Sequence, residues 1–101
     1  MTEKMTKEMF AENLNTKFRL NAGSSNMIEI ELVELSEGVS TPKQEQFALL
    51  FRGPSDFFLP QRIYHMEHDK LGEFDLFLVP VGRDENGFQY EAVFNRFIQS
   101  S

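Results

Sequence analysis

The stretch Phe74-Asp75-Leu76-Phe77-Leu78-Val79-Pro80-Val81 decides the fold, because every residue in it except Asp75 is apolar. An apolar run of this length, rich in β-branched and aromatic residues, is typical of a β-strand. Since apolar residues occupy successive positions, the run predicts a strand that is buried on both of its faces. We therefore expect this strand at the centre of a sheet.

Shorter strand patterns lie on both sides of this run. They end at Gly, Pro, Asn or Asp residues, which favour turns. The strands expected from these patterns cover residues 16–20, 28–35, 47–52, 61–68 and 88–95. Residues 36–45 are polar and include Gly38 and Pro42, so they predict a mobile surface loop. Asn86 and Gly87 are expected to supply the positive-φ residues of the last hairpin.

The alternation of apolar residues changes phase within residues 28–35. Ile28, Ile30 and Leu32 share one face of a strand. Val33 and Leu35 then continue the apolar pattern one residue out of step. A β-bulge near Leu32 and Val33 would restore the inward orientation. A strand that bends over an edge without a bulge is the alternative.

One helical pattern precedes the strands. Thr6 is a candidate N-cap for a short amphipathic helix over residues 7–14 that packs on the sheet. The face expected to pack consists of Met9, Phe10, Asn13 and Leu14. Residues 1–101 are thus predicted to form a single, mainly β domain with one short N-terminal helix. Its five or six strands, paired antiparallel in sequential order, form a curled sheet or a small, partly open β-barrel.

Composition limits the classes of function. Eleven phenylalanines, without tryptophan or cysteine, predict an aromatic core that contains neither disulfides nor thiolate metal sites. Sixteen acidic and ten basic residues give a net charge of −6, which disfavours nucleic acid as a partner. No apolar h-region or membrane-length apolar stretch occurs, so neither a signal peptide nor a membrane partner is expected. The absence of cysteine favours a reducing compartment, and we expect a cytoplasmic location.

Several short motifs connect this chain to a known family. They are the segments 47–54, 59–61, 67–68, 71–72, 77–82 and 90–95, together with Tyr64. In these motifs the chain resembles a family of small bacterial proteins that is defined only as a domain of unknown function. Some members are encoded beside phage-tail-like or tail-collar proteins, so the resemblance implies an accessory or assembly role. It implies no catalytic residues.

The candidate binding residues are chosen for their chemistry. They are Arg52, Phe57, Phe58, Tyr64, His68 and Tyr90. Arg52 precedes Gly53 and Pro54 at the end of an expected strand, where a guanidinium could bind a carboxylate. A structural role, in which Arg52 pairs with Asp56 or Glu91 or caps turn carbonyls, is the alternative.

Residues 65–69, which contain His65, Glu67, His68 and Asp69, form the one cluster with the chemistry for metal binding or proton transfer. On a strand, the side chains of His65 and His68 point to opposite faces and cannot share an ion. His68 lies next to a turn and is expected to bond a backbone carbonyl or the neighbours of Glu67. We predict no metal ligand, no catalytic residue and no cofactor.

Two classes of function remain. The first is a non-enzymatic protein-binding or assembly module that offers a sheet face or an edge strand to a protein partner, with a homo-oligomer as a variant. Its support is apolar surface in residues 47–51, 57–59 and 74–81, unless a closed barrel and the helix cover it. The second is a small-ligand-binding β-barrel, or an enzyme for a small substrate, in which the polar candidate residues surround a cavity.

Overall fold

The computed structural model describes residues 7–23, 27–41 and 44–97. In this part of the chain there is one short helix, followed by six strands. The elements are α1 (Lys7–Ala11), β1 (Lys17–Asn21), β2 (Met27–Thr41), β3 (Gln44–Gly53), β4 (Arg62–His68), β5 (Gly72–Asp84) and β6 (Gly87–Phe97). The predicted fold class, mainly β with one short helix, is confirmed. Thr6, the expected N-cap, lies outside the described residues.

The six strands pair antiparallel and close into a ring in the order β1-β2-β3-β6-β5-β4. The predicted curled sheet is confirmed, but the expected sequential order is wrong. β3 pairs with β6 from Gln44–Phe97 to Gly53–Phe88. The chain then crosses to β4, which pairs with β5 and closes the ring against β1. We attribute the difference to length, because the long strands β3 and β6 satisfy more backbone groups together than either could with the short β4.

The closing seam of the ring is narrow. β1 and β4 are joined through the residue pairs Arg19–Glu67 and Leu20–Met66. In contrast, β1 pairs with β2 along its full length, from Lys17 to Asn21. The ring is therefore closed, with one seam that is much shorter than its other contacts.

The predicted bulge in β2 is confirmed. Leu32 lies opposite Phe51 and Glu34 lies opposite Leu50, so Val33 is an extra residue on its strand. The bulge keeps Leu32 buried and lets Leu35 pack against the same core. It thus restores the inward orientation that the change of phase would otherwise reverse.

The loop expected over residues 36–45 is wrong. β2 continues to Thr41 and β3 begins at Gln44, and the two strands pair from Glu34–Leu50 to Thr41–Gln44 with a second register shift after Glu37. Backbone ladder bonds do not require apolar side chains, so a polar segment can extend an existing hairpin. The polar composition therefore does not exclude strand structure in this segment.

The expected burial of residues 74–81 on both faces is also wrong. Leu76 and Leu78 point into the ring and are buried, whereas Phe77 is 47% exposed and Val81 is 50% exposed. The ring encloses one core, so alternate residues of β5 face inward and the others lie on its outer surface. No second layer covers this outer surface in the described part of the chain.

Phenylalanine rings and helix α1 fill one end of the ring. Phe10 is fully buried, and its ring centroid lies between 5.4 and 6.5 Å from those of Phe18, Phe47, Phe74 and Phe94. Phe47 and Phe94 also stack on each other, with centroids 4.7 Å apart. The helix therefore contributes a central part of the core.

Helix α1 is shorter than the expected range of 7–14, because residues 12–15 form turns. Asn15 has a φ of 66°, which an α-helix does not permit. The buried Asn13 donates its side-chain Nδ2 to the Met9 carbonyl at 2.7 Å. No helix in the described ranges is long and apolar enough to cross a membrane.

Candidate functional site

Tyr64 and Tyr90 lie inside the ring, and both of their hydroxyls bind backbone groups. Tyr90 Oη accepts a hydrogen bond from the Leu59 amide at 2.8 Å. Tyr64 Oη donates to the Pro60 carbonyl at 2.5 Å. Burial raises the pKa of both phenols, so they stay neutral near pH 7. These two candidate binding residues thus hold the segment that crosses from β3 to β4.

His68 is buried and hydrogen-bonded at both ring nitrogens. Its Nδ1 accepts from the Lys70 and Leu71 amides at 3.0 and 3.2 Å. The proton of the neutral ring must therefore be on Nε2, which lies 2.9 Å from Thr16 Oγ1. Thr16 in turn donates to the Asn13 carbonyl at 2.6 Å. The expected bond from His68 to a backbone carbonyl is wrong, because two amide groups occupy Nδ1.

His65 and His68 point to opposite faces of β4, as expected. His65 lies on the outer surface, where Nδ1 is 2.9 Å from Asp75 Oδ1 and Nε2 is 2.9 Å from Glu73 Oε1. The hydrogen bonds to Asp75 and Glu73 raise the pKa of His65, whereas burial lowers the pKa of His68. No group of His, Asp and Glu side chains within the described segments has a geometry suited to a metal ion.

Arg52 lines a surface cavity of about 470 Å³ at the end of β3. Among the described residues, the Arg52 side chain forms no ion pair with Asp56 or Glu91 and no hydrogen bond. Its Nε atom is buried. The other lining residues are Lys17, Met27, Ile28, Glu29, Glu31, Gly53, Pro54 and Asn86. The structural alternative for Arg52, a pair with Asp56 or Glu91, is therefore not what the structure shows.

A close approach of two strand ends shapes this cavity. Gly87, at a φ of 142°, packs so tightly that a Cβ atom there would lie 2.0 Å from the Gly53 carbonyl oxygen. The same Cβ would lie 3.6 Å from Arg52 Cγ. Asn86 is not in a positive-φ conformation, so the expected pair of positive-φ residues reduces to Gly87. The hairpin tip at Asn86 is thereby held beside Arg52.

Charged residues of both signs lie across the strands that flank Arg52. Glu31 is the register partner of Lys17 on β1 and of Arg52 on β3. Glu29 is the partner of Arg19 and also lines the cavity. The salt bridges of the described residues include none among Lys17, Glu29, Glu31 and Arg52. The cavity therefore presents two cationic and two anionic groups to solvent.

The outer surface of the ring carries an apolar area, which we call the outer apolar patch. It consists of Ile63, Phe77, Val79, Val81 and Val93. Ile63 and Phe77 are direct cross-strand partners, 65% and 47% exposed. Val79 lies opposite Glu91, and Val93 is two residues farther along the same face of β6. The patch thus extends across three neighbouring strands.

The aromatic pair that was expected to bind a partner is divided between core and surface. Phe57 is partly buried against the core, and Leu59 is fully buried. Phe58 is 51% exposed and meets Phe88 edge to face, with ring centroids 5.2 Å apart. Phe58 is therefore the exposed member of the pair.

The six candidate residues do not form one site. Arg52 and His68 line two different cavities, the tyrosines lie in the core, and Phe58 lies on a loop. The residues of the outer apolar patch were missed as individual candidates. For Phe77, Val79 and Val81 the sequence carries a signal, because β5 has apolar residues at successive positions and one of its faces must lie outside the core.

The fold and its surface define a small, closed antiparallel β domain with a filled interior and an exposed apolar face. The chain belongs to the family described as Domain of unknown function (DUF6916), whose model matches residues 5–94. No curated protein and no solved structure matches it.

Proposed function

We propose that this protein is a non-enzymatic protein-binding or assembly module that binds its partner through the outer apolar patch. The observation that carries the proposal is the exposed cross-strand pair of Ile63 and Phe77. Exposed apolar clusters of this kind on a small domain are typical of interaction surfaces. Full burial of an exposed apolar side chain is worth about 1.5–3 kcal/mol, and covering the exposed half to two-thirds of Ile63 and Phe77 would contribute a corresponding part of it to association.

The border of the patch indicates the chemistry of the partner. The next outward-facing cross-strand pair after Ile63 and Phe77 is His65 and Asp75, with Glu73 bound to the other His65 nitrogen. A partner with an apolar centre and Lys or Arg side chains at this border would complement the surface. The net charge of −6 also favours a basic protein surface over nucleic acid.

The alternative of a small-ligand-binding barrel or a small-substrate enzyme has less support. This hypothesis predicts one deep cavity that is surrounded by Arg52, Tyr64, His68 and Tyr90. The hydroxyls of both tyrosines bind backbone groups, and Arg52 and His68 line different cavities. The aromatic core occupies the space inside the ring.

The resemblance to small bacterial proteins adds a cellular location and a biological role to the proposal. We include in it a cytoplasmic location and an accessory role in the assembly of a phage-tail-like structure, as the resemblance implies. The homo-oligomer is the variant in which a second copy covers the patch.

The test is affinity capture with tagged protein from a lysate of the source organism, read by mass spectrometry. We expect wild-type protein to retain a specific partner and the double variant Ile63→Thr/Phe77→Thr to lose at least nine-tenths of it, because the apolar contact is removed. Threonine keeps the β-propensity of both positions. Both side chains are exposed, so we expect the variant to unfold at the same urea concentration as wild type.

Met27→Thr is the matched control, because Met27 is 51% exposed and lies on β2, outside the patch. The control should retain the partner in full. A partner that binds the double variant as well as wild type would disprove the role of the patch. Sedimentation of purified wild type and double variant distinguishes a second copy from a different protein.

A further inference from the structure

Arg52 is a cation whose hydrogen-bonding capacity is unused within the described residues. Its Nε atom is buried and has no hydrogen-bond partner there. A guanidinium stays protonated at all ordinary pH values and offers five N–H donors in a planar fork. A buried donor without an acceptor costs stability, and such groups in native proteins call for an explanation. The terminal Nη groups also lack a partner among the described residues, and they are accessible where Arg52 lines the cavity, so a ligand there can supply their acceptor.

The other charges of the Arg52 cavity restrict the kind of ligand. Lys17 and Arg52 are cationic, whereas Glu29 and Glu31 are anionic, so the formal charges of the lining cancel. A simple anion would be attracted by one pair and repelled by the other. A molecule with one group of each sign can place each of them beside its opposite.

We propose that the Arg52 cavity binds a small zwitterion of the α-amino acid class. Its carboxylate accepts hydrogen bonds from the terminal Nη groups of Arg52, and its ammonium group lies beside Glu29 and Glu31. The cavity volume of about 470 Å³ is within the range of small-molecule sites. Ile28 and Pro54 provide apolar contacts for the carbon atoms of the ligand.

This site is separate from the outer apolar patch. The patch lies on β4, β5 and β6, whereas the cavity is lined by β1, β2, the end of β3, Pro54 and the hairpin tip at Asn86. The inference therefore does not rest on the proposed partner binding. Failure of one proposal leaves the other unchanged.

The first experiment is titration of ¹⁵N-labelled protein with each common α-amino acid at millimolar concentration, followed by amide NMR shifts. We expect at least one amino acid to shift the amides of Ile28, Gly53 and Asn86. The best binder is then compared with its analogues that lack either the ammonium or the carboxylate group. Each analogue should bind at least tenfold more weakly.

Variants locate the carboxylate contact. Arg52→Met keeps most of the aliphatic stem and removes the guanidinium, so we expect at least tenfold weaker binding. Arg83→Met is the control, because Arg83 lies over the Phe88 ring on the β5–β6 hairpin and does not line the cavity. Arg83→Met should bind the amino acid with a dissociation constant within twofold of the wild-type value. Glu31→Gln should weaken binding of the amino acid more than it weakens binding of the analogue without an ammonium group.

The stability of the unliganded variant separates a ligand site from a structural role. Because the buried donor of Arg52 lacks an acceptor, Arg52→Met should unfold at the same urea concentration as wild type or at a higher one. Clear destabilisation of the variant would assign Arg52 to the fold and overturn the proposal. The proposal would also be overturned if no amino acid shifted the amide signals, or if Arg52→Met bound the amino acid as tightly as wild type does.

Discussion

His65 and His68 are three residues apart on β4, yet their environments favour opposite protonation states. Two carboxylates bind the ring nitrogens of His65 and raise its pKa above the usual 6.5. Burial lowers the pKa of His68, and two backbone amides already donate to its Nδ1. NMR titration of the imidazole protons should therefore show one histidine above and one below pH 6.5. His65→Gln, which removes the upper transition, assigns them, and two transitions at the same pH would contradict the structure.

These directions also fix the sign of the pH dependence of stability. His68 binds a proton more readily when unfolded, so its contribution is present above pH 6.5 and is lost as the pH falls from there toward its folded pKa. His65 acts in the opposite sense, because its contribution is present below pH 6.5 and is lost as the pH rises through its folded pKa. His65 is exposed, so its effect is screened by solvent. Urea unfolding between pH 8 and 5 should show a steeper loss of stability in His65→Gln than in wild type.

Gly87 is the glycine at which a side chain is least tolerated. Its φ of 142° is strained for other residues, and a Cβ would lie 2.0 Å from the Gly53 carbonyl oxygen. We expect Gly87→Ala to lower the free energy of unfolding by about 2–4 kcal/mol, measured by urea denaturation.

Gly72→Ala is the matched control for this prediction. Gly72 has a φ of 81°, but a Cβ there would meet no heavy atom within 4 Å. Its substitution adds the backbone strain without the clash and should cost about 1–2 kcal/mol. Equal losses in the two variants would show that the contact with Gly53 is unimportant.

At the scale of elements, helix α1 depends on Phe10. Phe10 is the buried residue of the helix and contacts four other phenylalanine rings. Phe10→Ala should lower the free energy of unfolding by about 3–5 kcal/mol, because the cavity left among these rings cannot fill completely. Glu8→Ala, at an exposed position of the same helix, should change it by less than about 0.5 kcal/mol. A loss below about 1 kcal/mol for Phe10→Ala would show that the helix is not part of the core.

The elements that sequence reasoning predicted well are those with local causes. The bulge at Val33 follows from the phase of neighbouring apolar residues, and the β5–β6 hairpin follows from Gly87 in its turn. The polar extension of β2 and β3 has no such local cause. Its strand structure depends on pairing with a partner strand, which composition alone does not reveal.

The parts of the site that were not predicted depend on distant contacts. Tyr90 faces inward through the alternation of β6, but its bond to the Leu59 amide joins residues 31 apart in the chain. Whether Arg52 forms an ion pair with Asp56 or Glu91 depends on side-chain geometry that composition does not encode. The exposure of Phe77 likewise depends on whether another layer covers β5. The strand order that sets these contacts joins segments far apart in the chain.

For the whole molecule, the filled interior places the candidate binding surfaces outside the ring. The core gathers most of the large side chains, including Phe10, Phe18, Phe47 and Phe51. The outer apolar patch and the Arg52 cavity are consequently attached to a rigid support. A partner or ligand can then bind without first displacing core residues, so little ordering of the protein is required on association.

The short seam between β1 and β4 gives this ring a preferred place to open. Two residue pairs hold it, so separation of β1 from β4 breaks far fewer backbone bonds than separation of β3 from β6. In native-state hydrogen exchange, the amides that bond across the seam should therefore exchange through a local fluctuation. Those between β3 and β6 should exchange through global unfolding, so the β1–β4 seam is where the ring separates first.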